Sequence, residues 1–159
     1  MAGARTYFGY GSNLIVEQMT RRCPTAQFVG PARLRDHKFR INLQGVATVV
    51  RSPGSLVHGI LWRLTPSDEA ALDRYEGTAF GLYRRVFLPV ESRRGPPSIP
   101  ALVYVALDPM PGRPRPEYLE EIVDAARRLG FPPAYIEELT LCARPSGGRR
   151  NDPPGLEPR

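Results

Sequence analysis

Two short segments of the chain contain residue types that could do chemistry. The first is the glycine-rich run Gly9-Tyr10-Gly11-Ser12-Asn13-Leu14. It lacks the third glycine of a dinucleotide-binding loop, the lysine of a phosphate-binding P-loop and the final glycine of a serine-hydrolase elbow. Consecutive backbone N–H groups in such a loop could bind a carboxylate or an oxyanion, and an ordinary glycine turn would show the same pattern.

The second segment surrounds Glu76, in Asp73-Arg74-Tyr75-Glu76-Gly77. Helical spacing places this glutamate in the last turn of a predicted helix, where the negative end of the helix dipole disfavours the ionised carboxylate. The neighbouring aromatic residues Tyr75, Phe80 and Tyr83 would shield it from water. Both effects raise a pKa above the ordinary ~4.3, as a general acid/base requires. From the residues alone, a solvated surface glutamate is the alternative.

The other reactive residue types show no catalytic or metal-binding pattern. His37 and His58 lie in separate predicted strands without metal-ligand spacing. Cys23 and Cys142 are too few for a disulfide framework or a four-cysteine zinc site, and we interpret them as inert thiols. Tyr118, in the first turn of a predicted helix, is either a core residue or a hydroxyl at a pocket wall. We expect no metal site and no cofactor.

These residues must be positioned by a mixed set of strands and helices. Alternating hydrophobicity and turn residues predict strands over 4–10, 33–43, 47–51, 56–64, 82–91 and 101–107. Helices are predicted over 14–22, 65–77, 117–129 and 133–142. Ser52–Ser55 is predicted to be a turn, and 92–100 and 108–116 are predicted to be loops.

This order of elements indicates the α+β class, with a small, mainly antiparallel or mixed sheet that could close as a β-barrel with flanking helices. The 159 residues fit one domain, predicted over 1–143, and the Pro-, Gly- and Arg-rich segment 144–159 is predicted to be a flexible tail. Thr65, Pro66 and Asp68 form a clear helix start, and Gly77 a clear stop.

The composition excludes some classes of function. The net charge is +6, but the basic residues are scattered doublets, and the segment 144–159 alone contributes +2. Without a run of five or six like charges, nucleic-acid binding is not favoured. No apolar run approaches the ~20 residues of a membrane span, and the N-terminus lacks the apolar region of a signal peptide. We therefore expect a cytoplasmic protein without a membrane partner; its oligomeric state is not predictable.

Taken together, the motifs resemble the gamma-glutamylcyclotransferase-like family over roughly residues 6–142. The matching segments are Tyr10-Gly11-Ser12-Asn13-Leu14, Ser52-Pro53-Gly54, Gly59-Ile60-Leu61-Trp62-Arg63-Leu64, Leu72-Asp73 with Glu76-Gly77, Leu82-Tyr83-Arg84-Arg85-Val86, Pro116-Glu117-Tyr118, and Gly130-Phe131-Pro132 with Tyr135. The resemblance implies a small mixed barrel with a pocket at one end. It also implies a small-molecule γ-glutamyl substrate that cyclises to 5-oxoproline as an amine or amino acid leaves.

The resemblance also implies roles for particular residues. Glu76 would be the general acid/base, and the loop Tyr10, Gly11, Ser12, Asn13, Leu14 would form the substrate cavity together with Tyr83 and Tyr118. A non-catalytic or differently specific member of the fold that binds a γ-glutamyl-like ligand is the alternative. The leaving group is not predictable, and the segment 92–100 is a candidate wall of the pocket.

Overall fold

The computed structural model describes residues 3–143, and its strands form one continuous sheet. β1 (Arg5–Gly9) pairs antiparallel with β3 (Ala47–Leu64). β2 (Gln27–Ile41) forms a long antiparallel hairpin with β3, and β4 (Tyr83–Ser92) forms a second one with β5 (Gly95–Ala106). The order around the sheet is β1-β3-β2-β4-β5.

The sheet closes on itself through two short pairings. β1 meets β5 in parallel at Tyr7 and Leu102, and β2 meets β4 where Ala32 and Arg33 lie opposite Ser92 and Glu91. Because the closing pairings are so short, the sheet is a small mixed ring rather than a regular barrel. The expected α+β class with a small mixed sheet and flanking helices is confirmed.

Within residues 3–143, four α-helices flank the sheet: α1 (Val16–Arg22), α2 (Pro66–Glu76), α3 (Pro116–Arg128) and α4 (Pro133–Leu141). A single 3₁₀ turn, Ser12–Leu14, follows β1, and another, Thr78–Phe80, follows α2. α1 and α3 both pack against the first of these turns, and α1 also contacts α2. The glycine-rich loop is therefore held between helices at one end of the sheet.

The boundaries of α2 follow the rules of helix capping. The Thr65 hydroxyl accepts a hydrogen bond from the backbone N–H of Asp68, and the Asp68 carboxylate accepts one from the N–H of Thr65. Pro66 occupies the first turn, and Gly77 ends the helix in the left-handed conformation at φ 67°. The predicted start and stop are confirmed, and they make Glu76 the last helical residue.

The predicted turn at Ser52–Ser55 is wrong, because residues 47–64 form one strand. His37 pairs with Arg51 and Arg35 with Leu56, so four residues of β3 lie opposite Asp36 alone. The Asp36 carboxylate accepts a hydrogen bond of 3.0 Å from the backbone N–H of Gly54. The turn residues therefore form a large bulge within β3, and the chain does not reverse its direction there.

The predicted loop at 92–100 is also mostly strand, since β5 already begins at Gly95. The loop was predicted because proline is unusual inside a strand. Pro96 and Pro97 lie in a bulge between the pairs Ser92–Gly95 and Glu91–Ser98, and Pro100 pairs with Pro89 on one side alone in the described register. A bulge and an edge position both tolerate a missing N–H. β2 likewise begins six residues earlier than expected, at Gln27.

The core fills the inside of the ring and the space beneath the helices. Its fully buried side chains include Phe8, Leu14, Met19, Leu34, Val57, Ile60, Leu64, Leu72, Leu102, Ile122 and Leu139. The predicted domain 1–143 stays an expectation, and the predicted tail 144–159 lies outside the described residues. Within residues 3–143, every helix is too short or too polar to cross a bilayer.

Candidate active site

A cavity of about 480 Å³ opens at the end of the sheet where β1 ends. Its walls come from the glycine-rich loop, the C-terminus of α2, the beginnings of β3, β4 and α3, and two connecting segments, 43–46 and 113–115. Among the described residues that line it, Glu76 is the one carboxylate, and Arg113 and Arg115 are the two cations. The cavity therefore combines a single acid with several polar groups on a partly apolar wall.

Glu76 lies at this wall because α2 ends there. Burial raises the pKa of its carboxyl group to about 7, and the positive charge of Arg22 nearby lowers the pKa only in part. Within residues 3–143 the carboxylate has no hydrogen-bond or ion-pair partner. A carboxyl group with this pKa changes its protonation state near neutral pH, so it can accept and return a proton.

The glycine-rich loop faces the cavity with backbone and side-chain groups. Tyr10, Gly11, Ser12 and Asn13 all line the cavity. In the described residues, the backbone N–H groups of positions 11–13 donate no hydrogen bond, because the 3₁₀ turn begins its bonding at the N–H of Leu14. Three unpaired donors in succession are suited to hold a carboxylate or an oxyanion.

Leu14 differs from its four neighbours. It is 1% exposed and is absent from the cavity wall, because its side chain packs in the core beneath the loop. The expectation that Leu14 contacts a ligand therefore does not agree with its position. Gly11 allows the loop to lie close to β3: a Cβ atom there would be 3.1 Å from the Cβ atom of Ala47.

A cluster of tyrosines forms the polar part of the wall, and three of its hydroxyls donate their protons within the protein. The Tyr104 hydroxyl donates to the Asp73 carboxylate at 2.6 Å. Tyr10 donates to the carbonyl oxygen of Tyr104 at 2.5 Å, and Tyr83 donates to that of Ala47 at 2.6 Å. Burial raises the pKa of Tyr10 and that of Tyr83 well above the usual range. Both side chains are therefore neutral and fixed in orientation.

Three other hydroxyls of the wall accept hydrogen bonds, and that of Tyr75 accepts from the guanidinium group of Arg22. Tyr118 accepts from the backbone N–H of Ala47 at 3.1 Å, and Tyr7 accepts from the side-chain amide of Asn13 at 2.7 Å. Burial raises the pKa of Tyr118 to about 12 and that of Tyr7 further, so both stay protonated. Each can donate its proton to a molecule in the cavity.

The sequence interpretation missed a large part of the wall. The missed lining residues are Tyr7, Leu43, Gln44, Gly45, Val46, Ala47, Tyr75, Leu82, Tyr104, Arg113 and Arg115. Leu43 was predicted to end a strand, and residues 44–46 and 113–115 were read only as connections. The one signal in this part of the sequence is glycine. A Cβ atom at Gly112 would be 2.6 Å from the Cα atom of Leu43, so glycine allows the two segments to touch. The segment 92–100, suggested as a wall, is absent from the cavity.

The histidines and cysteines lie outside the cavity wall, as their lack of pattern suggested. His58 packs against Tyr135 with ring centroids 4.7 Å apart. Cys23 is buried, and burial raises the pKa of its thiol to about 11, which disfavours the reactive thiolate. Among residues 3–143, no group of three His, Cys, Asp or Glu side chains could hold a metal ion.

The sequence of the chain is similar to that of known proteins. The model of the AIG2-like family matches residues 56–139. Gamma-glutamylcyclotransferase of Mus musculus is 36% identical over 143 residues, which cover 84% of this chain and 76% of that protein. The Homo sapiens protein of the same name is 34% identical with the same coverage.

Solved structures with a similar fold belong to the same group of proteins. A solved structure described as a gamma-glutamyl cyclotransferase superposes with a TM-score of 0.79 and 33% identity, over 86% of each chain. A yeast cyclotransferase described as specific to glutathione is only 12% identical, with a TM-score of 0.56, and shares the fold. The chain therefore belongs to the gamma-glutamylcyclotransferase-like family, the AIG2-like family of the matching model.

Proposed function

We propose that this chain is a gamma-glutamylcyclotransferase, which converts a small γ-glutamyl compound into 5-oxoproline and a free amine or amino acid. One observation carries the proposal. Glu76, with a pKa of about 7, lines the same cavity as the unpaired backbone N–H groups of residues 11–13. The relatives named for this activity match 84% of the chain, which supports it.

The proposed reaction needs little from the protein besides positioning and proton transfer. The α-amine of the glutamyl group attacks its own γ-carbonyl carbon, a C–N bond closes a five-membered ring, and the C–N bond to the leaving nitrogen breaks. Because nucleophile and electrophile belong to one molecule, binding in a folded conformation supplies much of the rate enhancement. Overall, two protons pass from the attacking nitrogen to the leaving nitrogen.

Glu76 is the group we assign to this proton transfer. As a carboxylate it takes a proton from the α-ammonium, and as a carboxylic acid it returns a proton to the departing nitrogen. A pKa of about 7 makes both states accessible near neutral pH. The absence of a protein partner for this carboxylate, among residues 3–143, leaves it free to contact the substrate.

The negative charges of the reaction need donors, and the cavity wall contains them. The backbone N–H groups of Gly11, Ser12 and Asn13 are assigned to the substrate carboxylate or to the oxyanion that develops on the γ-carbonyl. The hydroxyls of Tyr7 and Tyr118 supply further donors, since each keeps its own proton. Tyr10 and Tyr83, whose protons are engaged by carbonyl oxygens, shape the wall instead.

A non-catalytic ligand-binding protein of the same fold is less well supported. A cavity blocked by side chains, or a Glu76 carboxylate bonded to another group of the protein, would favour that alternative. Instead, a cavity of about 480 Å³ adjoins the unpartnered carboxylate. Independence from metals, a cytoplasmic location and the absence of nucleic-acid partners stay predictions.

The function is tested by incubating the purified chain with a panel of γ-glutamyl amines, γ-glutamyl amino acids and γ-glutamyl peptides. Release of 5-oxoproline is measured by chromatography, with the same panel in buffer as the control for spontaneous cyclisation. We expect release from at least one class of compound. No release from any member of the panel would refute the proposed function.

The pH dependence of the reaction should follow the pKa of Glu76. Because the free enzyme needs Glu76 ionised, kcat/KM should fall about tenfold per pH unit as the pH drops below about 7. The measurement is kcat/KM from pH 5 to 9 with a good substrate from the panel. A kcat/KM that stays level between pH 7 and pH 5 would contradict the raised pKa of this group.

Arg113 and Arg115 should influence which leaving group is accepted. Both line the cavity, and neither has a carboxylate partner among residues 3–143. We expect Arg113→Met with Arg115→Met to raise KM about two- to tenfold for substrates whose leaving group contains a carboxylate, since exposed ion pairs are weak. KM for an uncharged leaving amine of similar size should change less.

The matched control for this pair is Arg93→Met with Arg94→Met, which removes the same charge from the turn between β4 and β5, outside the cavity wall. It should leave both KM values unchanged. Equal effects of the two double variants would show that only the net charge of the protein matters.

A further inference from the structure

Arg22, the last residue of α1, lies just behind the cavity wall and is not among the lining residues. One guanidinium nitrogen donates to the Ser12 hydroxyl at 3.1 Å and to the Asn13 side-chain oxygen at 2.5 Å. The other donates to the Gln18 side-chain oxygen at 2.8 Å and to the Tyr75 hydroxyl at 2.6 Å. This one side chain therefore connects α1, the glycine-rich loop and α2.

The partners of Arg22 are all uncharged. Its guanidinium carbon lies 3.6 Å from the centre of the Tyr75 ring, and no carboxylate among residues 3–143 forms an ion pair with it. The guanidinium charge therefore acts on neighbouring groups, because no anion in the described part of the chain neutralises it and water screens a half-buried charge only in part. The carboxyl group of Glu76 is one of these groups, and the charge lowers its pKa against the effect of burial.

Arg22 also determines how the buried Asn13 amide is oriented. The amide oxygen must face the guanidinium, because that group can only donate. The amide nitrogen then faces Tyr7 and donates to its hydroxyl oxygen at 2.7 Å. With its oxygen accepting, the Tyr7 hydroxyl keeps its proton for the cavity. A reversed amide would instead take up that proton.

We propose that Arg22 is a positioning residue of the active site, which holds Ser12 and Asn13 in place and, through Asn13, orients the Tyr7 hydroxyl as a donor to the substrate. Its uncompensated charge also favours the ionised form of Glu76. This inference rests on the proposed function, because the molecule that Tyr7 contacts is the substrate of that reaction.

The test compares Arg22→Met, which removes both charge and donors, with Arg22→Lys, which keeps the charge and loses the forked donor geometry. We expect Arg22→Met to lower kcat/KM about 10- to 100-fold, the usual effect of losing hydrogen bonds to a charged group. Its acid limb should move to higher pH. Arg22→Lys should keep the acid limb of the wild type with a raised KM.

The matched control is Arg21→Met, because Arg21 is an exposed arginine on the same helix without a hydrogen bond or an ion pair among residues 3–143. It should behave as the wild type. A kcat/KM of Arg22→Met within threefold of the wild type would overturn the inference, and so would an unmoved acid limb. If Arg22→Met does not fold, Arg22→Lys decides: a wild-type KM overturns the inference.

Two further measurements test the two parts of the proposal separately: the hydrogen-bond connection through Asn13, and the effect of the Arg22 charge on Glu76. Tyr7→Phe removes only the hydroxyl, and its loss should not add fully to that of Arg22→Met, because both remove the same donor. Full additivity would overturn the connection.

The pKa of the Glu76 carboxyl group, followed by ¹³C NMR without substrate, should rise in Arg22→Met. An unchanged pKa overturns the effect of the charge even if the wild type releases no 5-oxoproline.

Discussion

Replacement of Glu76 by glutamine should lower kcat for 5-oxoproline release by about 10³-fold, with KM within about threefold of the wild type. The two side chains have nearly the same shape, so the substrate should still bind. The amide, however, can neither accept the proton of the α-ammonium nor return one to the leaving nitrogen. One group serves both steps in the proposed reaction, and its loss is therefore the largest effect on activity that we expect.

The control is Glu120→Gln, which makes the same chemical change at an exposed position of α3. It should leave kcat and KM unchanged. Activity of Glu76→Gln above about a tenth of the wild-type kcat would contradict the assigned acid/base role. In that case the cavity would have to act by positioning alone.

The same variant has an expected effect on stability, with a sign set by the raised pKa. A carboxyl group whose pKa is higher in the folded protein than in the unfolded chain favours folding less as the pH rises from about 4.5 to about 7. Glu76→Gln removes this dependence. It should therefore unfold at a higher temperature than the wild type at pH 8, and the difference should shrink at pH 5. Thermal unfolding at the two pH values tests this.

Replacement of Gly59 by alanine should produce the second large effect, a loss of about 3 kcal/mol in the free energy of unfolding. A Cβ atom at Gly59 would overlap the backbone oxygen of Gly9 and approach two ring carbons of Phe8 to 2.6 Å. Phe8 is fully buried, so its ring has little room to move. A lower melting temperature, by about 10 °C, is the expected readout.

The glycine-rich loop begins directly after β1, the strand that this substitution would displace. We therefore expect Gly59→Ala to reduce kcat/KM even at temperatures where the variant is folded. The control is Gly3→Ala, because no atom lies within 4 Å of a Cβ atom at Gly3. A free energy of unfolding for Gly59→Ala within 1 kcal/mol of the wild type would show that β1 and β3 can separate at little cost.

Much of the local structure could be predicted from neighbouring residues alone. The helix that ends at Glu76 is bounded by a capping box and a left-handed glycine, which act over a few residues. The raised pKa of Glu76 was also expected, from its position at the helix end and from its aromatic neighbours in the sequence. Where local signals conflicted with strand pairing, the prediction was wrong. The prolines of β5 lie in a bulge and at an edge position, and the turn residues of β3 lie in a second bulge.

The order of the motifs identified the family and located Glu76 and the glycine-rich loop, because these features lie in contiguous segments of the sequence. The tertiary structure alone decided which distant groups meet them. Arg22, Asn13 and Tyr7 form a chain of hydrogen bonds, and Tyr118 and Tyr83 both bind Ala47. Such contacts depend on closure of the sheet and packing of the helices. Capping and periodicity act over a few residues, whereas the walls of a cavity join segments that only the fold brings together.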